Sequence, residues 1–232
     1  MRGDVCCSAN KTRALTVTIP GATCKIKIGI NMSRIKSVCV YCGSGPGTNP
    51  AFMAAAGEFG RILADNDIRL VYGGGSAGLM GACAEAVLDH GGFVTGIIPE
   101  FLTDREHMLM RAQERIITRD LHERKRLMFE RADAFVALPG GVGTLEELVE
   151  QLTWAQLGRH RKPILIADID HFWDPLRALI AHMEKLQFIR AGLNVNLLVA
   201  DRIEDVLPKL QAAARALPEP DAELQAAAVE RM

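Results

Sequence analysis

The 232-residue sequence lacks an excess of charge of either sign, and it lacks long hydrophobic runs. Its formal net charge of −1 gives no electrostatic reason to bind nucleic acid or an anionic membrane surface. No apolar run reaches the length of a membrane span, and the first residues lack the continuous apolar core of a secretory segment. We therefore expect a cytoplasmic protein with no nucleic-acid or membrane partner.

Patterns that mark metal sites are also missing. The six histidines form no zinc-ligand spacing with the six cysteines, so we expect no metal and no cofactor. Cys39 and Cys42 have the spacing of a redox pair, but Cys39 falls inside a predicted strand and not at a helix start. We interpret them as a core cysteine and a small loop residue.

Short β-branched or apolar runs alternate with longer helical patterns from residue 37 onward. The predicted strands are 37–41, 68–72, 93–98, 114–118, 134–138, 163–167 and 196–200. The predicted helices are 50–64, 77–90, 120–131, 144–157, 173–186 and 203–214. This alternation is typical of an α/β protein with a Rossmann-like, doubly wound parallel sheet of about seven strands in three α/β/α layers.

The ends of the chain differ from this pattern. Residues 1–32 show no sustained helical period, and Met32 opens a clean start, so the segment is either a mis-called or dispensable extension or a short hairpin. Residues 33–215 form the predicted catalytic domain. Residues 216–232 are rich in Ala and Glu after two prolines and are predicted to be a flexible tail.

Three predicted strands end in glycine-rich loops, at residues 43–47, 73–75 and 140–143. Ligands of such sheets lie beyond the carboxyl ends of the strands, so we expect one shared pocket. The last loop, from Pro139 to Thr144, runs into a helix whose unpaired N–H groups and dipole favour a phosphate. The Gly-Lys-Ser/Thr ending of triphosphate loops is missing, which favours a monophosphate held mainly by backbone.

The loop at residues 73–78 also has the Gly-x-Gly-x-x-Gly spacing of dinucleotide sites. Glu100 follows the next strand, roughly where a ribose-binding acid belongs, so this alternative stays open. A dinucleotide site at residues 73–78 does not explain the phosphate-binding loop from Pro139 to Thr144.

Glu147 lies about one turn inside the helix that follows the phosphate loop. A carboxylate beside a phosphate weakens ground-state binding, but it stabilises a transition state in which positive charge develops on a sugar carbon. The alternative is an ordinary acidic residue that favours the helix dipole.

The helix before the phosphate loop contains Leu121-His122-Glu123-Arg124-Lys125. Together with residues 139–144 and Glu147, this segment resembles the two signature motifs of the LOG (LONELY GUY) family, whose relatives carried the older label of lysine decarboxylase. The resemblance spans about residues 36–210 and includes five further segments: 41–44, 72–75, 78–81, 96–99 and 153–158.

The resemblance implies hydrolysis of the N-glycosidic bond of a nucleoside 5′-monophosphate, either a cytokinin or another purine, to free base and ribose 5-phosphate. It implies Arg124 and Glu147 as the catalytic pair. It also implies at least a homodimer with the site near the subunit interface. The substrate-binding positions would be Ser44, Gly74, Gly75, Glu106, Lys125, Gly140, Gly141, Val142, Gly143, Thr144 and Thr153.

Two departures from the family pattern bear on which base is bound. Val142 stands where many relatives have an aromatic residue, and Gly45-Pro46-Gly47 replaces a more serine-rich first loop. The rival interpretation is a carrier of phosphorylated pterin, because molybdenum-cofactor carriers share the glycine-rich phosphate motif. The pairing of Arg124 with Glu147 favours the hydrolase.

Overall fold

The computed structural model describes residues 14–19, 22–27, 35–189 and 196–216. The chain divides into two units, Met1–Ser33 and Arg34–Met232. In the first unit, strands β1 (Ala14–Ile19) and β2 (Ala22–Lys27) pair antiparallel as a hairpin. This is the shape that the hairpin interpretation of residues 1–32 requires, and whether the segment is dispensable stays a prediction. The predicted tail lies outside the described residues except for Ala216.

Seven parallel strands form the sheet of the second unit. Most are apolar and buried along their whole length, as strands covered on both faces must be. Their bounds are β3 (Ser37–Tyr41), β4 (Arg69–Tyr72), β5 (Val94–Pro99), β6 (Glu114–Thr118), β7 (Ala134–Ala137), β8 (Ile164–Ala167) and β9 (Leu197–Ala200). Their order across the sheet is β6-β5-β4-β3-β7-β8-β9. The predicted α/β class and strand number are confirmed, with bounds that differ by at most one residue.

Helices cover both faces of the sheet, which gives the predicted three layers. One face is packed by α1, α2 and α7, through side chains such as Phe59, Leu79 and Leu210. The other is packed by α4, α5 and α6, with Met128 and Leu148 fully buried. The helix bounds are α1 (Pro50–Asp65), α2 (Gly78–Asp89), α3 (Thr103–Glu106), α4 (Leu121–Glu130), α5 (Val142–Gln156), α6 (Asp174–Lys185) and α7 (Val206–Ala216). None of the helices described is long and apolar enough to cross a bilayer.

The chain reverses direction across the sheet between β3 and β7. It proceeds from β3 through β4 and β5 to β6 at one edge, then returns to pair β7 with the other side of β3. At such a switch point the loops after the two central strands diverge and leave a crevice at their carboxyl ends. The fold therefore places the loops that follow Tyr41 and Ala137 side by side.

Two differences from the predicted helices matter for the site. Helix α5 begins at Val142, two residues before the predicted start, although Gly143 then lies inside it. The short helix α3 was not predicted, because four residues carry too weak a periodic pattern. The remaining helix ends differ by at most three residues, since end residues depend on capping contacts.

Candidate active site

The loops after β3 and β7 are joined by backbone hydrogen bonds. The amide of Leu138 donates to the carbonyl of Tyr41 at 2.9 Å, and the amide of Gly43 donates to the carbonyl of Pro139 at 3.0 Å. Gly140 lies so close to this junction that a Cβ on it would overlap Oγ1 of the buried Thr144. The junction fixes where α5 begins.

Helix α5 starts without a side-chain cap. Gly141 is its N-cap residue and contributes no side-chain hydrogen bond. The first intrahelical bond comes from the amide of Leu145, at 3.1 Å from the carbonyl of Gly141. The amides of Val142, Gly143 and Thr144 precede it and have no helical carbonyl to bind. With the helix dipole, they form a site suited to an anion.

Arg124 lies in the interior and not on the surface of α4. Its side chain is 9% exposed, and its Nε donates to the carbonyl of Ile97 on β5 at 3.2 Å. Space for the guanidinium comes from Gly73, which follows β4: a Cβ there would overlap Nη2 of Arg124. Arg124 is therefore not a solvated surface charge.

Glu147 faces Arg124 across the gap between α5 and α4. Its Oε1 lies 3.6 Å from Nη2 of Arg124, and its side chain is 12% exposed. Burial raises the pKa of Glu147 to about 7; Arg124 opposes the rise, and the nearby carboxyls of Glu146 and Glu106 add to it. A carboxyl with this pKa changes its charge in the neutral range, as acid–base catalysts do.

Glu106 is held near this pair by the loop that follows β4. The amide of Leu109 donates to the carbonyl of Gly74 at 2.9 Å, and the amide of Ser76 to that of Glu106 at 3.2 Å. Gly74 makes the turn with a φ of +85°, which favours glycine. Oε2 of Glu106 is buried and has no hydrogen-bond partner in the part of the chain that the structure describes. A buried acceptor of this kind is suited to a ligand donor.

Lys125, the residue after Arg124, makes two ion pairs with α5. Its Nζ lies 2.5 Å from Oε1 of Glu146 and 3.0 Å from Oε1 of Glu150. Burial by itself lowers the pKa of Lys125, but hydrogen bonds to the two carboxylates outweigh this effect and hold the pKa above its ordinary value. These partners are not evident from the sequence, because they depend on how α4 faces α5.

The other predicted positions divide into two groups. Ser44 is exposed in the loop after β3, where its backbone packs against Gly78, and Val142 is 83% exposed at the start of α5. Both border the crevice. Thr153 is exposed, and its hydroxyl donates to the carbonyl of Val149 at 2.8 Å. Thr153 lies nearly two helical turns beyond Glu147, so a single chain does not bring it next to Arg124 and Glu147.

The dinucleotide and redox alternatives find no matching geometry. The loop at 73–75 is filled by Arg124 and by the segment carrying Glu106, and Glu100 is exposed in a 3₁₀ turn. Cys39 and Cys42 are both buried, and burial raises the pKa of each thiol well above its ordinary value. Thiols in this state are unreactive.

Two further features lie apart from the pair. Among the described residues, Asp168, His171 and Asp174 are grouped closely enough to hold a metal ion, but Arg177 already binds both aspartates, at 3.0 and 2.9 Å. A cavity of about 200 Å³ opens near the amino ends of β8 and β9, at the opposite edge of the sheet from the loops. Neither feature belongs to the crevice where ligands of parallel sheets bind.

Comparison with known proteins identifies the family. A family model described as "Possible lysine decarboxylase" matches residues 80–210. The probable cytokinin riboside 5′-monophosphate phosphoribohydrolase LOG4 of Oryza sativa subsp. japonica is 43% identical over 180 residues, which are 78% of each chain. The chain belongs to the LOG family. Another LOG relative, the cytokinin riboside 5′-monophosphate phosphoribohydrolase LOG7 of Arabidopsis thaliana, is 48% identical over 148 residues, covering 64% of this chain and 68% of its own.

Solved structures outside the close LOG relatives share the fold. The molybdenum cofactor carrier protein of Chlamydomonas reinhardtii aligns with a TM-score of 0.58 and 19% identity, over 78% of this chain and 98% of its own. The molybdenum cofactor binding protein of Rippkaea orientalis aligns with a TM-score of 0.56 and 19% identity, over 76% and 95%. At this identity the likeness concerns the fold alone.

Proposed function

We propose that this LOG-family chain is an N-glycosyl hydrolase that cleaves a purine or cytokinin nucleoside 5′-monophosphate to free base and ribose 5-phosphate. The observation that carries the proposal is the buried pairing of Arg124 with Glu147 next to an uncapped helix start. The names of the relatives, which are phosphoribohydrolases of cytokinin riboside 5′-monophosphates, support the same reaction.

The 5′-phosphate binds at the start of α5 in this mechanism. Backbone amides of residues 142–144 donate to its oxygens, Thr144 and Gly140 shape the turn, and Gly141 leaves open space for the approach. Binding energy from the phosphate, which does not react, positions the sugar against Glu147. Nucleosides without the phosphate are therefore poor substrates.

Glu147 acts in its ionised form. As the bond between sugar and base breaks, positive charge develops on the anomeric carbon, and the carboxylate stabilises that charge or orients the attacking water. Arg124 remains protonated, so it assists by charge and hydrogen bonding, at the phosphate or at the departing base, and not by proton transfer.

Other predicted positions bind the remainder of the substrate. The unpartnered oxygen of Glu106 accepts a hydrogen bond from a sugar hydroxyl, and the backbone of Gly74 and Gly75 with Ser44 lines the crevice beside it. Val142 contributes to base preference. No metal or cofactor enters the mechanism, and a cytoplasmic location stays a prediction from the sequence.

A second copy of this chain is proposed to cover α5. Val142, Leu145, Val149 and Leu157 form an exposed apolar row along this helix, and Thr153 lies in the same row. A copy packed on the row is the arrangement that would bring Thr153 to a substrate. We expect light scattering to show at least a dimer for the wild type and a monomer for Val149→Asp; a monomeric wild type would contradict this proposal.

The deciding experiment measures free adenine released from AMP, with adenosine and isopentenyladenosine monophosphate run in parallel and Glu147→Gln as the blank. We expect release from the two monophosphates only, and none from the variant, which should still bind AMP. The ratio of the two rates gives the base preference. No release from any compound, together with copurified pterin seen by absorbance, would favour the carrier instead.

A further inference from the structure

Lys125 connects the two helices that carry the catalytic pair. Its ammonium group contacts Glu146 and Glu150, which lie one turn apart on α5. Lys125 directly follows Arg124 on α4, and Glu146 directly precedes Glu147. The ion pairs therefore fix the backbone immediately beside both catalytic side chains.

Burial makes this contact more consequential than a surface ion pair. The side chain of Lys125 is 12% exposed and that of Glu150 is 21% exposed, whereas that of Glu146 is 53% exposed, so the buried ion pair is the one between Lys125 and Glu150. Oε2 of Glu150 is buried and has no hydrogen-bond partner among the described residues, so its charge is compensated mainly by Lys125. Removing one partner from such a group leaves an uncompensated charge inside the protein.

We propose that Lys125 is a positioning residue for hydrolysis, which sets the spacing of Arg124 and Glu147 and neutralises the acidic neighbours of Glu147, and that it does not contact the substrate. This inference rests on the proposed function. It replaces the substrate-binding role that the family resemblance implies for Lys125.

The charges around Glu147 determine what the loss of Lys125 would do. The titratable and charged groups that interact with Glu147 are Arg124 and Lys125 from α4, Glu146 from α5, Glu106 from α3, and Cys39, Tyr41 and Cys42 from β3 and its loop. Glu150 lies one turn further along α5 and near Tyr41. Without Lys125, Glu146 and Glu150 both remain as unpaired negative charges. Glu147 would then ionise only at a higher pH.

The primary test compares kcat/KM for AMP between pH 5 and 9 in the wild type and Lys125→Met. We expect the acid limb to move upward by about one pH unit and kcat to fall roughly tenfold, with KM changed less than about threefold. Lys125→Arg should restore most of the difference. Arg126→Met, which removes a charge that pairs with Glu130 on the same helix and with no other acidic group of the described residues, should leave the acid limb in place. A KM raised about tenfold with an unmoved limb would establish substrate contact and overturn the proposal.

A second set of variants tests the carboxylates themselves. Glu150→Gln alone should move the acid limb downward, and Lys125→Met/Glu150→Gln should return it toward the wild-type position. If the acid limb of the pH profile stayed at the wild-type position in both variants, the proposal would be refuted. Carbon-13 NMR titration of the Glu147 carboxyl, in wild type and Glu150→Gln without substrate, gives the same comparison even if no monophosphate is hydrolysed. Failure of the proposed function is thereby separated from failure of this inference.

Discussion

The glycine-rich loops after β4 and β7 differ in what occupies the space beside their glycines. At Gly73 a Cβ would overlap Nη2 of Arg124 and approach Sδ of Met80 at 3.1 Å. At Gly141 and Gly143 a Cβ would meet no atom within 4 Å among the described residues. The first loop uses glycine to admit a side chain of the protein, and the second uses it to leave room for something outside the protein. Glycine content in the sequence does not distinguish these uses.

The largest expected effect is on the first loop. In Gly73→Ala, the new methyl displaces the guanidinium of Arg124. The activation free energy that corresponds to kcat/KM for AMP should therefore rise by about 2 kcal/mol or more, which is the loss expected for Arg124→Ala. The displaced group is the end of a flexible side chain, so the free energy of unfolding should change by less than about 1 kcal/mol. Steady-state kinetics and urea unfolding measure the two quantities.

The double variant Gly73→Ala/Arg124→Ala supplies the control. If the methyl acts only through Arg124, the double variant should be no slower than Arg124→Ala alone, because the two changes remove one interaction. Full activity in Gly73→Ala would show that the contact does not constrain Arg124.

The loop after β7 leads into α5, which carries Glu147, and the burial of this carboxyl lowers the free energy of unfolding at neutral pH. The pKa of Glu147 in the folded chain is about 7, against an ordinary value of 4.5. Between these values the folded chain binds more protons than the unfolded chain, so this group's contribution to stability is complete below about pH 4.5 and is lost as the pH rises through 7. Hydrolysis needs the ionised form, so activity rises over the range in which stability falls.

Glu147→Gln should expose this cost. The neutral amide cannot ionise, so the variant should be more stable than the wild type by ~2 kcal/mol at pH 8 and nearly equal at pH 5. Urea unfolding at the two pH values measures the difference. With Arg124→Ala as background, the gain should be larger, because the guanidinium no longer favours the carboxylate. An equal gain at both pH values would exclude ionisation as the cause.

The fold was largely predictable because its strands are buried on both faces. Strand β3, which is buried along its whole length, has the predicted bounds, and the strand–helix alternation requires the parallel sheet and its switch point. The start of α5 was mistaken because Gly143 disfavours a helix, whereas the structure extends the helix through it to Val142. Local propensity could not show that a Cβ at Gly141 or Gly143 would meet no described atom within 4 Å.

The sequence singles out the candidate residues of the site but does not show their contacts. Glu147 and the phosphate loop follow from the motif, and Arg124 was chosen through the family resemblance. The partners of Lys125 and the space at Gly73 depend on how α4 lies against α5 and β4, which a local pattern does not encode. Thr153 remains outside the arrangement that one chain provides.

The smallest expected effect distinguishes the open glycines of the second loop from the packed one of the first. Gly141→Ala adds a methyl where no protein atom lies within 4 Å in the described part of the chain, and its φ of −89° suits alanine. The free energy of unfolding should therefore change by only a few tenths of a kcal/mol. KM for AMP should rise by an amount that corresponds to about 1 kcal/mol of binding free energy, because the methyl occupies the space through which the phosphate approaches. Gly57→Ala, at an open position in α1, is the matched control and should leave KM unchanged. If Gly141→Ala lost stability and kept its KM, the second loop would resemble the first, and its open space would have no ligand to hold.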